Sequence, residues 1–155
     1  MEASRGRGIM AATRGAPPHD YLVNTGGSIG IGIPLAVGAA VACPGRPVLC
    51  LSGDGSAMYT LQGLWTAARE NLAITTVVFA NRTYEILMGE LASLGTVPGR
   101  RALETLDIGR PDLDFVALAK GMGMRGVRVS TLQEFAGALK SAFESAEPNL
   151  IEVAL

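Results

Sequence analysis

Apolar positions along the chain change period several times, and each change marks an element. From about Pro34 to Cys43 the residues are apolar on all sides, as in a helix packed inside a protein. Pro34 suits a helix start, where its missing N–H costs nothing. Cys43-Pro-Gly-Arg-Pro47 reads as a turn. Val48–Ser52 is a short apolar run closed by Gly53-Asp-Gly55, which predicts a buried strand and then a turn. Leu61, Leu64, Trp65, Ala68 and Leu72 fall at helical steps and predict a helix over 61–72. Ile74–Ala80 is rich in β-branched residues and predicts the next buried strand. Beyond Tyr84-Glu-Ile-Leu-Met-Gly the pattern weakens, and Gly95–Pro111 reads as a mostly exposed loop. Phe115–Lys120 predicts a short helix and Gly126–Val129 a strand. Thr131-Leu-Gln-Glu134 has the form of a capping box, followed by an apolar face of Leu132, Phe135, Ala136, Leu139 and Phe143. Asn149–Leu155 predicts a last strand.

Apolar strands alternating with helices imply an α/β fold, a parallel sheet with helices on both faces. In such sheets ligands bind where strands end and helices begin. The two loops so marked are Gly53–Ser56 and Asn81–Tyr84.

Composition narrows the possibilities. With 155 residues, 48% hydrophobic and 17% charged, the chain can bury the core of about one domain, and disorder over most of its length is excluded. Thirteen Lys and Arg against 14 Asp and Glu leave a net charge of -1, so no nucleic-acid partner is expected. Two cysteines, Cys43 and Cys50, and one histidine, His19, exclude a zinc finger, an iron–sulfur cluster or a disulfide scaffold. A Ser-His-Asp triad would have to use His19, which beside Pro17 and Pro18 reads as a loop residue. Few cysteines and no apolar signal segment suggest a cytoplasmic location. The uncharged run Ile29–Cys43 spans only 15 residues and includes Gly30, Gly32, Pro34 and Gly38, too short and interrupted for a membrane span.

No Walker-type phosphate loop occurs. Gly121-Met-Gly-Met-Arg-Gly126 has dinucleotide-fingerprint spacing, but it follows a predicted helix and precedes a strand, so it reads as a turn. Gly53-Asp54-Gly55-Ser56 is more informative. Asp54 offers a hard oxygen ligand, the glycines permit close backbone approach, and N–H groups at the next helix start suit an anion. Asn81 follows 27 positions after Asp54, just past the next strand, which brings the two to neighbouring places on one sheet edge. A carboxylate and an amide oxygen suit Mg²⁺, whose remaining positions are filled by phosphates and water.

Gly53-Asp-Gly-Ser56 with Asn81-Arg-Thr-Tyr84 resembles the cofactor motif of thiamine diphosphate enzymes, and Gly27-Ser-Ile-Gly30 before an apolar helix matches too. The resemblance covers nearly the whole chain and points to the acetolactate synthase and benzoylformate decarboxylase branch. It implies that Asp54, the Asn81 side chain and the Thr83 carbonyl hold Mg²⁺. It places Gly53, Gly55 and Ser56 at the diphosphate with Tyr84 beside it. It also assigns cofactor contacts to Ser4, in the opening loop, and to Gly27 and Ser28, the Gly27 carbonyl accepting from the aminopyrimidine. Ile29 is then the wedge that bends the cofactor, so that its thiazolium carbon can add to a 2-oxo acid and take up the electrons left by loss of CO₂.

Each role has a plainer alternative: Ile29 as core, Ser56 as an N-cap, Tyr84 as packing. The chain also departs from the family. Ala80 stands where a second asparagine is frequent, and Arg82 and Glu85 replace residues that are commonly small. The resemblance further implies a pyrimidine-binding domain carrying an activating glutamate. No catalytic residue of that kind is expected within these 155 residues. The family's first parallel strand also lacks a counterpart, so the sequence reads as a domain truncated at its N-terminus. The expected whole is a homo-oligomeric 2-oxo acid decarboxylase or carboligase. A subunit of a split enzyme and a non-catalytic gene fragment are the alternatives.

Overall fold

A computed structural model describes residues 11–155. Its centre is a four-stranded, all-parallel sheet in the order β1-β2-β4-β3. The strands are β1 (Val48–Gly53), β2 (Ile74–Ala80), β3 (Arg125–Val129) and β4 (Asn149–Ala154). The α/β reading and the parallel sheet hold, and each predicted strand lies within a residue or two of its expected bounds. β2 is buried at all but one position, as a central strand covered on both faces must be.

Three helices cover one face: α1 (Gly32–Ala42), α3 (Gly63–Arg69) and α6 (Phe115–Gly121). Ile33, Leu64 and Phe115 reach from them onto Cys50, Val78 and Leu150 of the sheet. Between β1 and α3 the chain makes a single helical turn, α2 (Asp54–Ala57). α7 (Leu132–Ser145) covers the other face over Val77, Val129 and Ile151. Its predicted capping box is present, with Thr131 accepting from the Glu134 N–H and Glu134 accepting from the Thr131 N–H.

Several expectations are corrected. The packing stripe of α7 is Phe135, Ala138, Leu139 and Ala142, which lies roughly 65° around the helix from the predicted face at 3.6 residues per turn. Leu132 is 75% exposed as a result, and Ala136 and Phe143 are also exposed. Trp65 likewise faces outward and lies under the Arg69 guanidinium. The stretch predicted as loop contains α5 (Arg100–Leu106), and Tyr84 leads into α4 (Glu85–Ser93). α5 carries the exposed Arg100–Glu104 pair and buries only Leu106, so little periodicity marks it in the sequence. Within Gly121–Gly126 the turn is 122–124, Gly121 ending α6 and Arg125 and Gly126 opening β3, and His19 is an exposed loop residue. Cys43 and Cys50 are free thiols. Among the described residues no helix is long and apolar enough to cross a membrane.

The two leucines at opposite extremes of burial give a direct check. Leu64→Ala, at a fully buried position, should lower the unfolding free energy by about 2–5 kcal/mol. Leu132→Ala should change it by less than about 0.5 kcal/mol in the same denaturant titration.

Candidate cofactor site

Parallel register decides where the loops meet. Gly53 pairs with Phe79, so Asp54 and Asn81 follow at the C-terminal ends of adjacent strands. Asp54 is 4% exposed. Its Oδ1 accepts from the Gly55 N–H at 2.8 Å and its Oδ2 from the Arg82 N–H at 2.7 Å. Burial pushes its carboxyl up from the ordinary 3.8, while the backbone N–H bonds pull it back. Among the described residues its partners are peptide N–H groups rather than a cation.

The Asn81–Tyr84 loop is braced from outside by the chain after α5. The Tyr84 N–H donates to the Leu106 carbonyl at 2.9 Å, and the Ile108 N–H donates to the Arg82 carbonyl at 3.0 Å. Thr83 thus forms the wide pair of an antiparallel bridge with Asp107. In such a pair the residue's own N–H and C=O point away from the partner strand. The Thr83 N–H accordingly turns inward to Asn81 Oδ1, at 3.2 Å, and the Thr83 carbonyl faces the same side. Asn81 Nδ2 donates to Glu85 Oε2 at 3.2 Å, which leaves the amide oxygen on the Thr83 side. The Tyr84 ring lies flush on Gly55: a Cβ there would stand 2.4 Å from Tyr84 Cε1. No residue larger than glycine fits at position 55 while Tyr84 holds this place.

The glycine segment approaches from another direction. Gly26 and Gly27 have φ of 66° and 69°, the left-handed region that glycine enters without cost. At Gly30 (φ 88°) a Cβ would meet Tyr59 Cβ at 2.5 Å, and the Gly30 carbonyl accepts from the Thr60 hydroxyl. The segment is thereby tied to the chain just after α2. Ile29 is 57% exposed and Ser28 is exposed as well, so neither is core.

Residues 7–153 match the family model described as "Thiamine pyrophosphate enzyme, C-terminal TPP binding domain". The chain belongs to this family. Thiamine pyrophosphate, the same molecule as thiamine diphosphate, is the cofactor such domains bind. The chain is 58% identical over 147 residues to "Putative acetolactate synthase large subunit IlvX" of Mycobacterium tuberculosis, covering 94% of this chain and 28% of that protein. It is 38% identical over 136 residues to benzoylformate decarboxylase of Pseudomonas aeruginosa, covering 88% and 25%. Among solved structures, the thiamine diphosphate-dependent 4-hydroxybenzoylformate decarboxylase of Rhodococcus jostii RHA1 superposes with a TM-score of 0.75 at 42% identity. That match covers 83% of this chain and 23% of the other. The chain thus spans about a quarter of the length of the curated relatives it matches.

For this thiamine pyrophosphate-binding domain, the structure brings Asp54, Gly55, Asn81, Thr83 and Tyr84 together at one sheet edge. Gly53 caps α2 from the end of β1, with no side-chain cap, so Ser56 is not the N-cap. Ser56 instead occupies the third position of α2 and its carbonyl accepts from the Tyr59 N–H. Gly27, Ser28 and Ile29 sit on the exposed glycine segment that Gly30 ties to Tyr59 and Thr60. Ser4 lies outside the described residues. The brace of Leu106, Asp107 and Ile108 is absent from the sequence reading. Its one local signal is Asp107-Ile-Gly109, where Asp107 Oδ1 accepts from the Gly109 N–H at 2.9 Å.

The raised Asp54 carboxyl has a signed consequence for the metal-free fold. An acid whose folded pKa is raised favours folding most when protonated, below about 3.8, and that contribution fades as pH rises through the raised value. In metal-free buffer the stability advantage of the parent over Asp54→Ala should therefore shrink as pH rises above the ordinary 3.8. Thermal unfolding of both proteins at and above that pH measures the gap.

Proposed function

We propose that this chain is the diphosphate- and Mg²⁺-holding domain of a cytoplasmic, thiamine diphosphate-dependent 2-oxo acid decarboxylase or carboligase. The observation that carries the reading is the juxtaposition at the ends of β1 and β2. A buried carboxylate held by backbone N–H groups stands beside an amide oxygen and a carbonyl that share one side of their loop. These are three hard oxygen donors bearing one negative charge between them, the donor type that Mg²⁺ takes along with phosphate and water. The residues present fit the group.

Asp54, Asn81 and the Thr83 carbonyl would hold the ion. Gly55 and Ser56 would lie along the diphosphate, with the Tyr84 ring as a wall over Gly55. Gly27 would offer its carbonyl to the aminopyrimidine, and the exposed Ile29 would stand beneath the cofactor as the wedge. When bound, the cofactor supplies an electron sink for the carbon that loses CO₂. The chain's own part is to bind the charged end, fix its orientation and exclude water from it.

The activating glutamate would come from a pyrimidine-binding domain, either on the same longer chain or on a partner subunit of an oligomer. Two observations support further protein over this edge. The chain spans about a quarter of its relatives, and Ile29, Met58 and Tyr59 stand 57%, 42% and 60% exposed around the site. The relatives named as acting on benzoylformate or making acetolactate support 2-oxo acids as the substrate class.

Cofactor binding is testable on the chain itself. Thiamine diphosphate at a hundred times its Kd should stabilise the fold by about 2.7 kcal/mol when Mg²⁺ is present. Chelation by EDTA should remove most of that gain, as should Asp54→Ala. Stabilisation that survives both in thermal unfolding would overturn the metal assignment. Without a glutamate-bearing domain the chain should release no CO₂ from pyruvate.

A further inference from the structure

Arg82 is the residue of the metal loop that departs most from a small side chain, and its surroundings use every part of it. Its backbone is left-handed (φ 58°), a conformation that non-glycine residues rarely adopt. That turn aims its N–H at Asp54 Oδ2 and its carbonyl at the Ile108 N–H. Gly109 packs against the Arg82 side chain, where an added Cβ would stand 3.2 Å from Arg82 Cβ. The Nε then reaches Asp112 Oδ1 at 3.2 Å. Asp112 in turn contributes to the field at Arg128, which pairs with the buried Glu152 of β4 at 2.9 Å and lies 3.7 Å from Asp114. Charges of both signs thus line the 107–114 segment between the metal loop and the Arg128–Glu152 pair of β3 and β4.

We propose that Arg82 is a positioning residue: through Asp112 its guanidinium locks the 107–114 segment against the metal loop, and so fixes the Asp54 and Thr83 oxygens in their metal-holding places. The proposal rests on the Mg²⁺ reading of the site. Without the pair, the Tyr84 N–H and the Arg82 carbonyl still have Leu106 and Ile108 as partners but lose the side-chain tie that holds those partners in register. The side chains of Arg82 and Asp112 are each 48% exposed, so the effect is one of modest size.

The experiment compares the parent chain with Arg82→Ala, Asp112→Ala, the double variant and the conservative Arg82→Lys. Two readouts are taken: Mg²⁺ affinity by calorimetry at saturating thiamine diphosphate, and amide exchange at Tyr84 and Ile108 without ligand. Arg82→Ala and Asp112→Ala should each weaken Mg²⁺ binding about two- to fivefold, the range of an exposed ion pair. The double variant should be no weaker than either single one, and Arg82→Lys should recover part of the loss. Exchange at Tyr84 and Ile108 should quicken in both single variants, with the unfolding temperature little changed. Additive losses in the double variant, unaltered exchange, or faster exchange with unaltered Mg²⁺ affinity would each overturn the proposal. A parent that shows no Mg²⁺-dependent binding would instead overturn the metal reading, and amide exchange alone would then decide whether Arg82 and Asp112 lock the loop.

Discussion

A carboxylate buried at a strand end with only peptide N–H groups for partners is a demanding thing to keep folded. Asp54 is almost fully enclosed, and among the described residues no cation stands beside it. Its two bonds come from its own helical turn and from the loop of the neighbouring strand. Those bonds exist only if β1 and β2 run parallel in the observed register, with Gly53 opposite Phe79. A slip of one residue would remove the Arg82 N–H and exchange the side chains that β2 presents to the helices on its two faces. The register is held in turn by the continuously buried β2, gripped between Leu64 and Phe115 on one side and α7 on the other.

From that constraint the surrounding features follow. The loop after β2 must turn sharply enough to present Arg82's N–H, and it does so through a left-handed residue. Such a loop has few internal bonds, so it is braced by Leu106–Ile108 in a short antiparallel bridge. The bridge has a second effect: it turns the Thr83 N–H and C=O inward, toward Asn81. The structural brace and the orientation of the Thr83 and Asn81 oxygens are one arrangement. Gly55 completes it by leaving room for the Tyr84 ring.

Much of this was legible in the linear pattern. β2 announced itself by β-branched residues, α7 by its capping box, and the pairing of Asp54 with Asn81 by two glycine- or asparagine-marked strand ends. Where the reading failed, burial was the missing variable. Leu132, Trp65 and Phe143 are apolar at helical spacing yet point outward, because the helix face that packs is chosen by the sheet beneath it. α5 was hidden for the opposite reason: it buries Leu106 alone, so it leaves almost no apolar period to detect.

The division between the two levels has a physical basis. Local chemistry specified the elements and the donor types: strand propensity, capping, glycine where backbone approaches backbone, and oxygen-bearing side chains at two turns. These depend on neighbours a few residues apart, which the chain order carries directly. The orientation of Thr83 depends on more than its near neighbour Asn81. It also depends on Asp107, 24 positions away, across a bridge that forms only once both segments are anchored to the sheet. The same holds for the tie from Arg82 to Asp112 and for the Tyr84 ring on Gly55. Contacts between distant segments require the packed core to bring them together, and they decide which way each donor atom faces.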